Sequence, residues 1–236
     1  MKKSIIYFFC SLSFFAHGQP TVPTVGYSPL NIYRNIFDET GKPAPPGTFS
    51  NIEGSPLLSN DWVLGTVSFF DGRFYNQVLL NFNLFTNELW FLRDSAILMY
   101  ADPVREFTIT YTETNLLKTA RYRSGYPAIE KKNNKSFYEI LSDGTLIELI
   151  KYKTKVIEEI VIYGSPTKKT FIQEDKLYVF DVKNKKLRPI TKGIKSLIDF
   201  LPSLETLINQ FVRDNELNFK EESSLVLLVQ FLNSKN

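Results

Sequence analysis

Arg121 and Arg123 stand two residues apart and run straight into Ser124-Gly125-Tyr126-Pro127. Two guanidinium groups and a phenol in one short polar loop are the parts of a carboxylate or phosphate site, because a guanidinium fork meets either anion with paired, charge-assisted hydrogen bonds. The competing reading is structural, with Gly125 and Pro127 shaping a turn and the arginines lying in solvent.

Lys151, Lys153 and Lys155 alternate along a segment with strand character, so they fall on one face. Together with Lys131, Lys132, Lys135, Lys183, Lys185, Lys186 and Arg188 they would make a surface that seeks phosphate. Outside a cell its targets would be lipid head groups or anionic envelope polymers rather than nucleic acid. Lysines on exposed strands also discourage edge-to-edge pairing, which is the simpler account. The carboxylate pairs Asp102 with Glu106, Glu158 with Glu159, and Glu174 with Asp175 are weaker candidates for hydrolytic chemistry. A glycosidase needs two carboxylates across a cleft, chance supplies such pairs among 25 acidic residues, and Glu174-Asp175 falls where a turn is expected.

The N-terminus narrows the chemistry further. Lys2 and Lys3 precede an uncharged apolar run from Ser4 to Phe15, and Ala16-His17-Gly18 places small residues before Gln19. This is the pattern of a secretory signal peptide over residues 1–18, and the run is too short to span a membrane. The single Cys, Cys10, and the single His, His17, both lie in this leader. The exported chain therefore has no disulfide and no Cys nucleophile, and it offers no His for a zinc site, a Ser-His-Asp triad or general-base work. What remains is a chain more suited to binding than to catalysis, with no cofactor expected. Two of the 28 basic residues leave with the leader, so 26 face 25 acidic ones. Residues 115–195 carry a net +9, while 19–114 and 196–236 carry −5 and −3.

The elements that must position these residues follow from periodicity. Seven of the 12 prolines fall in residues 19–61, which read as an irregular arm docked in part on the body. From Trp62 to Val182 short β-branched and aromatic segments predict eight to ten strands. Phe74, Val78, Leu80 and Phe82 are expected on one face of such a strand. Asp71-Gly72 and Asp143-Gly144 sit where hairpin turns should, and links this short require antiparallel pairing. After Pro189 the period becomes helical. Ile194, Leu197, Ile198 and Leu201, then Leu204, Leu207, Ile208 and Phe211, then Leu225, Leu228, Val229 and Leu232 make three apolar stripes. Ser203 is a candidate N-cap, and Asn218 with Glu221 a candidate capping box.

Several segments resemble a layout found in exported proteins of Bacteroidota-type bacteria. They are Gly54-Ser55-Pro56-Leu57-Leu58, Trp62 to Val67, the Asp71-Gly72 turn, Tyr75 to Val78, Asn83 to Leu89, Arg123 to Pro127, Phe137 to Leu141 and Leu217-Asn218-Phe219. The resemblance spans residues 54–236, implies export and the same architecture, and brings no catalytic motif.

The expected molecule is α+β. A signal peptide (1–18) and proline-rich arm (19–61) precede an antiparallel curved sheet or incomplete barrel (62–190), on which a helical segment (191–236) packs. The expected function is that of an exported, non-enzymatic envelope or secreted protein, in the periplasm or released, that binds an envelope protein or an anionic or apolar ligand. Arg121, Arg123, Tyr126, Lys151, Lys153 and Lys155 are its candidate ligand-binding residues. An apolar-ligand carrier of half-barrel type is the alternative, and a carboxylate hydrolase comes third.

Overall fold

The computed structural model describes residues 41–43, 49, 51–161, 163 and 166–235. The expected leader and much of the expected arm lie outside the described residues.

One sheet of eleven strands holds the molecule together. In chain order these are β1 (Gly41–Pro43), β2 (Val63–Phe69), β3 (Phe74–Asn83), β4 (Glu88–Arg93), β5 (Ala96–Tyr100) and β6 (Val104–Glu113). Then come β7 (Leu116–Arg123), β8 (Tyr138–Ser142), β9 (Ile147–Ile160), β10 (Lys168–Asp181) and β11 (Lys186–Pro189). Across the sheet they run β1-β5-β4-β3-β2-β6-β7-β8-β9-β10-β11, and every neighbouring pair is antiparallel. Three helices close the chain: α1 (Ile194–Phe200), α2 (Glu205–Asp214) and α3 (Glu222–Ser234), with one 3-10 turn at Pro202–Leu204. The fold is the α+β arrangement expected from the sequence, an open antiparallel sheet with three short C-terminal helices.

The sheet curls strongly. The carbonyl of Leu84, just past β3, accepts hydrogen bonds from the Lys155 amide at 3.3 Å and the Thr154 hydroxyl at 3.2 Å on β9. Those strands are five places apart in the sheet order, so this half of the sheet wraps around its own core. Phe82 stands at the centre, with Phe107, Tyr122 and Phe137 at centroid distances of 5.2, 5.0 and 5.9 Å. The interior of the curl is filled by rings, in the offset and edge-on arrangements that aromatic quadrupoles favour.

A second core lies under the helices. Ile147, Leu149 and Val179 from the sheet meet Leu197, Leu201, Ile208, Leu225, Leu228, Val229 and Leu232. All three helical stripes read from the sequence turn inward here. The helix starts differ from expectation: neither Ser203 nor Asn218 caps a helix, since the first residues before α2 and α3 are Leu204 and Glu221, without side-chain caps. Asn218 instead accepts from the Lys220 amide and donates to Glu221, fixing the turn before α3. A third, tyrosine-rich cluster of Tyr126, Tyr138, Ile150, Tyr178, Phe180 and Leu187 covers the other face of the β8–β11 region.

Two strand expectations are corrected. Val78, Leu80 and Phe82 are buried but Phe74 is 62% exposed, because β3 carries a bulge where Gly65 pairs with Val78 and Val67 with Tyr75. Gln77, at φ 55°, takes up the extra residue and inverts the phase, so Tyr75 packs on the core in place of Phe74. Glu174 and Asp175 form no turn; they lie in the middle of β10, opposite Thr154 and Lys153 of β9.

Candidate functional site

The six residues singled out from the sequence fall into two groups on opposite faces of the sheet, and in both they are engaged with the protein itself. Arg123 lies among three carboxylates. Its Nε donates to Glu106 at 2.7 Å, one terminal nitrogen to Glu148 at 2.8 Å, and the other to Asp143 at 3.0 Å. Arg121 shares Glu106 and Asp143. Tyr126 donates its phenol proton to Glu148 at 2.5 Å. The strand register explains the assembly: Glu106 pairs with Arg123 across β6 and β7, and the Asp143 turn and Glu148 follow on the next hairpin.

Charge matching then sets the electrostatics. Burial works against the Arg123 charge, but hydrogen bonds to Asp143 and Glu106 outweigh it and hold the guanidinium above its ordinary pKa. Burial likewise opposes the Asp143 charge, yet Arg123 and Arg121 pull its carboxyl down to about 2. Glu148 is pushed up by burial. A guanidinium whose donors are already spent on three carboxylates has little left for an arriving anion. Arg121, Arg123 and Tyr126, expected to hold a ligand, tie the β6–β7 hairpin to the β8–β9 hairpin through Asp143 and Glu148.

The lysines do alternate on one face of a strand, β9, but it is an inner strand, and Lys151 and Lys153 are buried with 7% and 2% exposure. Lys151 pairs with Glu222 at the start of α3, 2.5 Å away. Lys153 reaches Glu113 at 3.0 Å and the Tyr111 hydroxyl at 3.2 Å, with Glu139 at 3.9 Å. Burial opposes its charge, but Glu139 and Tyr111 more than compensate, and its pKa is raised. Lys155 donates to the carbonyls of Ser55 at 2.8 Å and Leu57 at 2.6 Å, and burial lowers its pKa. One row of alternating side chains therefore joins helix, sheet interior and arm.

A different place in the molecule has the shape of a binding site. A cleft of about 730 Å³ opens between the β4–β5 ribbon and the loop from Ser124 to Phe137. Leu89, Tyr100, Val104 and Phe137 supply apolar lining, while Asn87, Glu88, Ser124 and Lys135 supply polar groups. Its walls are fixed by backbone contacts. The Asn87 carboxamide accepts from the Phe137 amide at 2.7 Å and donates to the Phe137 carbonyl at 3.2 Å. Ser124 donates to the Val104 carbonyl at 2.6 Å, and the Gly125 amide donates to the Asn134 carbonyl at 2.7 Å. Gly125 has φ 92°, and a Cβ there would lie 3.0 Å from the Phe70 ring, so both its conformation and its neighbour call for glycine.

Of the cleft's polar groups, the sequence singled out for binding only Ser124, as part of the Arg121–Pro127 loop, and Lys135, as one of a wider set of basic residues. The cleft is built from four separate segments, around residues 70, 87–89, 99–104 and 124–137, and no local spacing announces it. Among the described residues no group of three or more Asp, Glu, His or Cys is placed to hold a metal ion, and no helix is long and apolar enough to cross a membrane. No protein-family model, curated protein or solved structure matches the chain.

Proposed function

We propose that this is an exported, non-enzymatic binding protein whose ligand, a small molecule with an apolar body, sits in the cleft beside the β4–β5 ribbon. The cleft carries the reading: its volume is in the range of small-molecule sites, and it combines an apolar lining with a few fixed polar groups. The half-barrel carrier idea survives only in altered form. The aromatic packing around Phe82 favours a ligand in the cleft over one inside the curl. The carboxylate hydrolase finds less support, because Glu106, Asp143, Glu148, Glu113 and Glu139 all stand against arginine or lysine. Export rests on the leader and on the resemblance to exported Bacteroidota-type proteins.

Fluorescence titration with a neutral apolar probe, N-phenyl-1-naphthylamine, tests the site. Ala101 lines the cleft from an exposed position, so Ala101→Trp fills it without disturbing a core. The probe should bind the natural chain and lose about tenfold or more in affinity in the variant, a change of about 1.4 kcal/mol. Equal affinities would place the probe elsewhere and end this reading. For export, protein recovered from the cell envelope or medium should begin at Gln19; an intact Met1 would contradict it.

A further inference from the structure

The chemistry of the cleft narrows the ligand. We infer that the cleft takes a ligand bearing an organic cation, an ammonium or guanidinium group on an apolar body, with the Glu88 carboxylate as its counter-ion. This rests on the binding reading above and adds a charge to it.

Glu88 is the first residue of β4 and follows Asn87, whose φ of 58° turns the chain out of the β3–β4 hairpin. Asn87 is tied to the Phe137 backbone, so the place from which the Glu88 side chain departs is fixed. One carboxylate oxygen, Oε2, accepts from the Thr86 hydroxyl at 2.7 Å and from the Trp90 indole N–H at 3.4 Å. Both donors are neutral. They hold the carboxylate in place and leave its charge uncancelled, and no ion pair among the described residues includes Glu88.

The contrast with the other acid in the cleft is informative. Asp102 lies 2.5 Å from a terminal nitrogen of Arg73 and is neutralised there. The other buried or half-buried glutamates of the sheet, Glu106, Glu113, Glu139 and Glu148, each stand against a cation, so the arrangement at Glu88 departs from theirs. A fixed carboxylate at the rim of an apolar lining discriminates by sign: it attracts a cation and repels an anion. Tyr100 and Phe137 line the same cleft, and the faces of such rings favour an organic cation further. Lys135 also lines the cleft, but it is exposed and hydrated, so it opposes a cation only weakly.

Three ten-carbon probes below their micelle concentrations test the assignment: decylammonium, decanol and decanoate. The natural chain should bind decylammonium about tenfold tighter than decanoate, with decanol between them, and raising salt should erode the difference. Glu88→Gln keeps the shape and the acceptor but removes the charge. It should bring the three affinities together while leaving decanol unchanged. Lys135→Gln should widen the preference for the ammonium. Binding of decanol with no preference for the ammonium, or a preference that survives both Glu88→Gln and high salt, overturns the cation assignment while the cleft reading stands. Failure of all three probes to bind overturns both. If Glu88→Gln lowers Tm by several degrees, the salt dependence of the natural chain decides the matter instead.

Discussion

Arg123 occupies a position where removing one side chain strands several charges. Arg123→Leu leaves Glu148, which is 6% exposed, without its cation and loosens Asp143 and Glu106. Breaking a buried pair by removing one partner costs about 3–5 kcal/mol. Urea unfolding should show a loss toward the lower end of that range, since Asp143 is partly solvated. The same cluster gives a sign for acid. Asp143 has a folded pKa of about 2 against an ordinary 3.8, so its contribution is fully present above about pH 4 and is lost as pH falls through 2. The stability gap between the natural chain and Asp143→Asn should therefore narrow over that window, and a gap constant from pH 5 to pH 2 would contradict the assignment. Sequence inspection found the arginines but not their pairing with the carboxylates that face them. Arg121-x-Arg123 looks like an anion site, and the carboxylates that answer Arg123 lie 17 to 25 residues away, Glu106 on the facing strand of the same hairpin and Asp143 and Glu148 on the next. Glu88 failed to stand out for the opposite reason: its significance is a missing partner, which only the folded neighbourhood can reveal.

At the scale of elements, Asn233 is the fastening between α3 and the start of β9. Its side-chain oxygen accepts from the amides of Leu146 and Ile147 at 3.0 and 3.1 Å, and its nitrogen donates to the carbonyls of Ile147 and Val229 at 2.9 and 3.0 Å. Asn233→Ala should cost about 2–3 kcal/mol, because it strands buried backbone groups as well as deleting bonds. Gly144 makes room for that side chain, since a Cβ at 144 would come within 2.2 Å of it. Gly144→Ala should thus destabilise the natural chain clearly and the Asn233→Ala chain much less, a non-additivity that a double-mutant cycle in thermal melts reads directly. The elements themselves were legible where burial is one-sided. The helical stripes and the Asp71-Gly72 and Asp143-Gly144 hairpins follow from period and turn chemistry alone. Legibility failed where tertiary structure broke the period: the bulge at Gln77 flipped Phe74 outward, and the pairing of two fourteen-residue strands carried Glu174 and Asp175 straight through what looks like a turn. Capping was misread because the chain enters α2 from a 3-10 turn.

For the molecule as a whole, the row Lys151, Lys153, Lys155 ties its parts together. Lys155→Met should release the carbonyls of Ser55 and Leu57 and expose the segment around them to limited proteolysis, at a smaller cost in Tm than Arg123→Leu. The sheet order has a consequence of another kind. From β2 the chain runs outward through successive hairpins to β5, returns through residues 101–103, and from β6 runs outward again on the other side to β11. Among the described strands, apart from the short β1–β5 pairing, every ladder joins neighbours in sequence except one, the β2–β6 junction. Two limbs can therefore zip up locally and early, and the slow step of folding is their meeting, where loop closure must be met before any contact rewards it. Gly65 lies on that junction, and a Cβ there would fall 2.4 Å from the Thr108 carbonyl and 2.6 Å from Leu80. In refolding kinetics Gly65→Ala should slow the main phase rather than merely hasten unfolding. A chain emerging from its N-terminus would complete one limb, wait, and join the β2 edge only when β6 arrives.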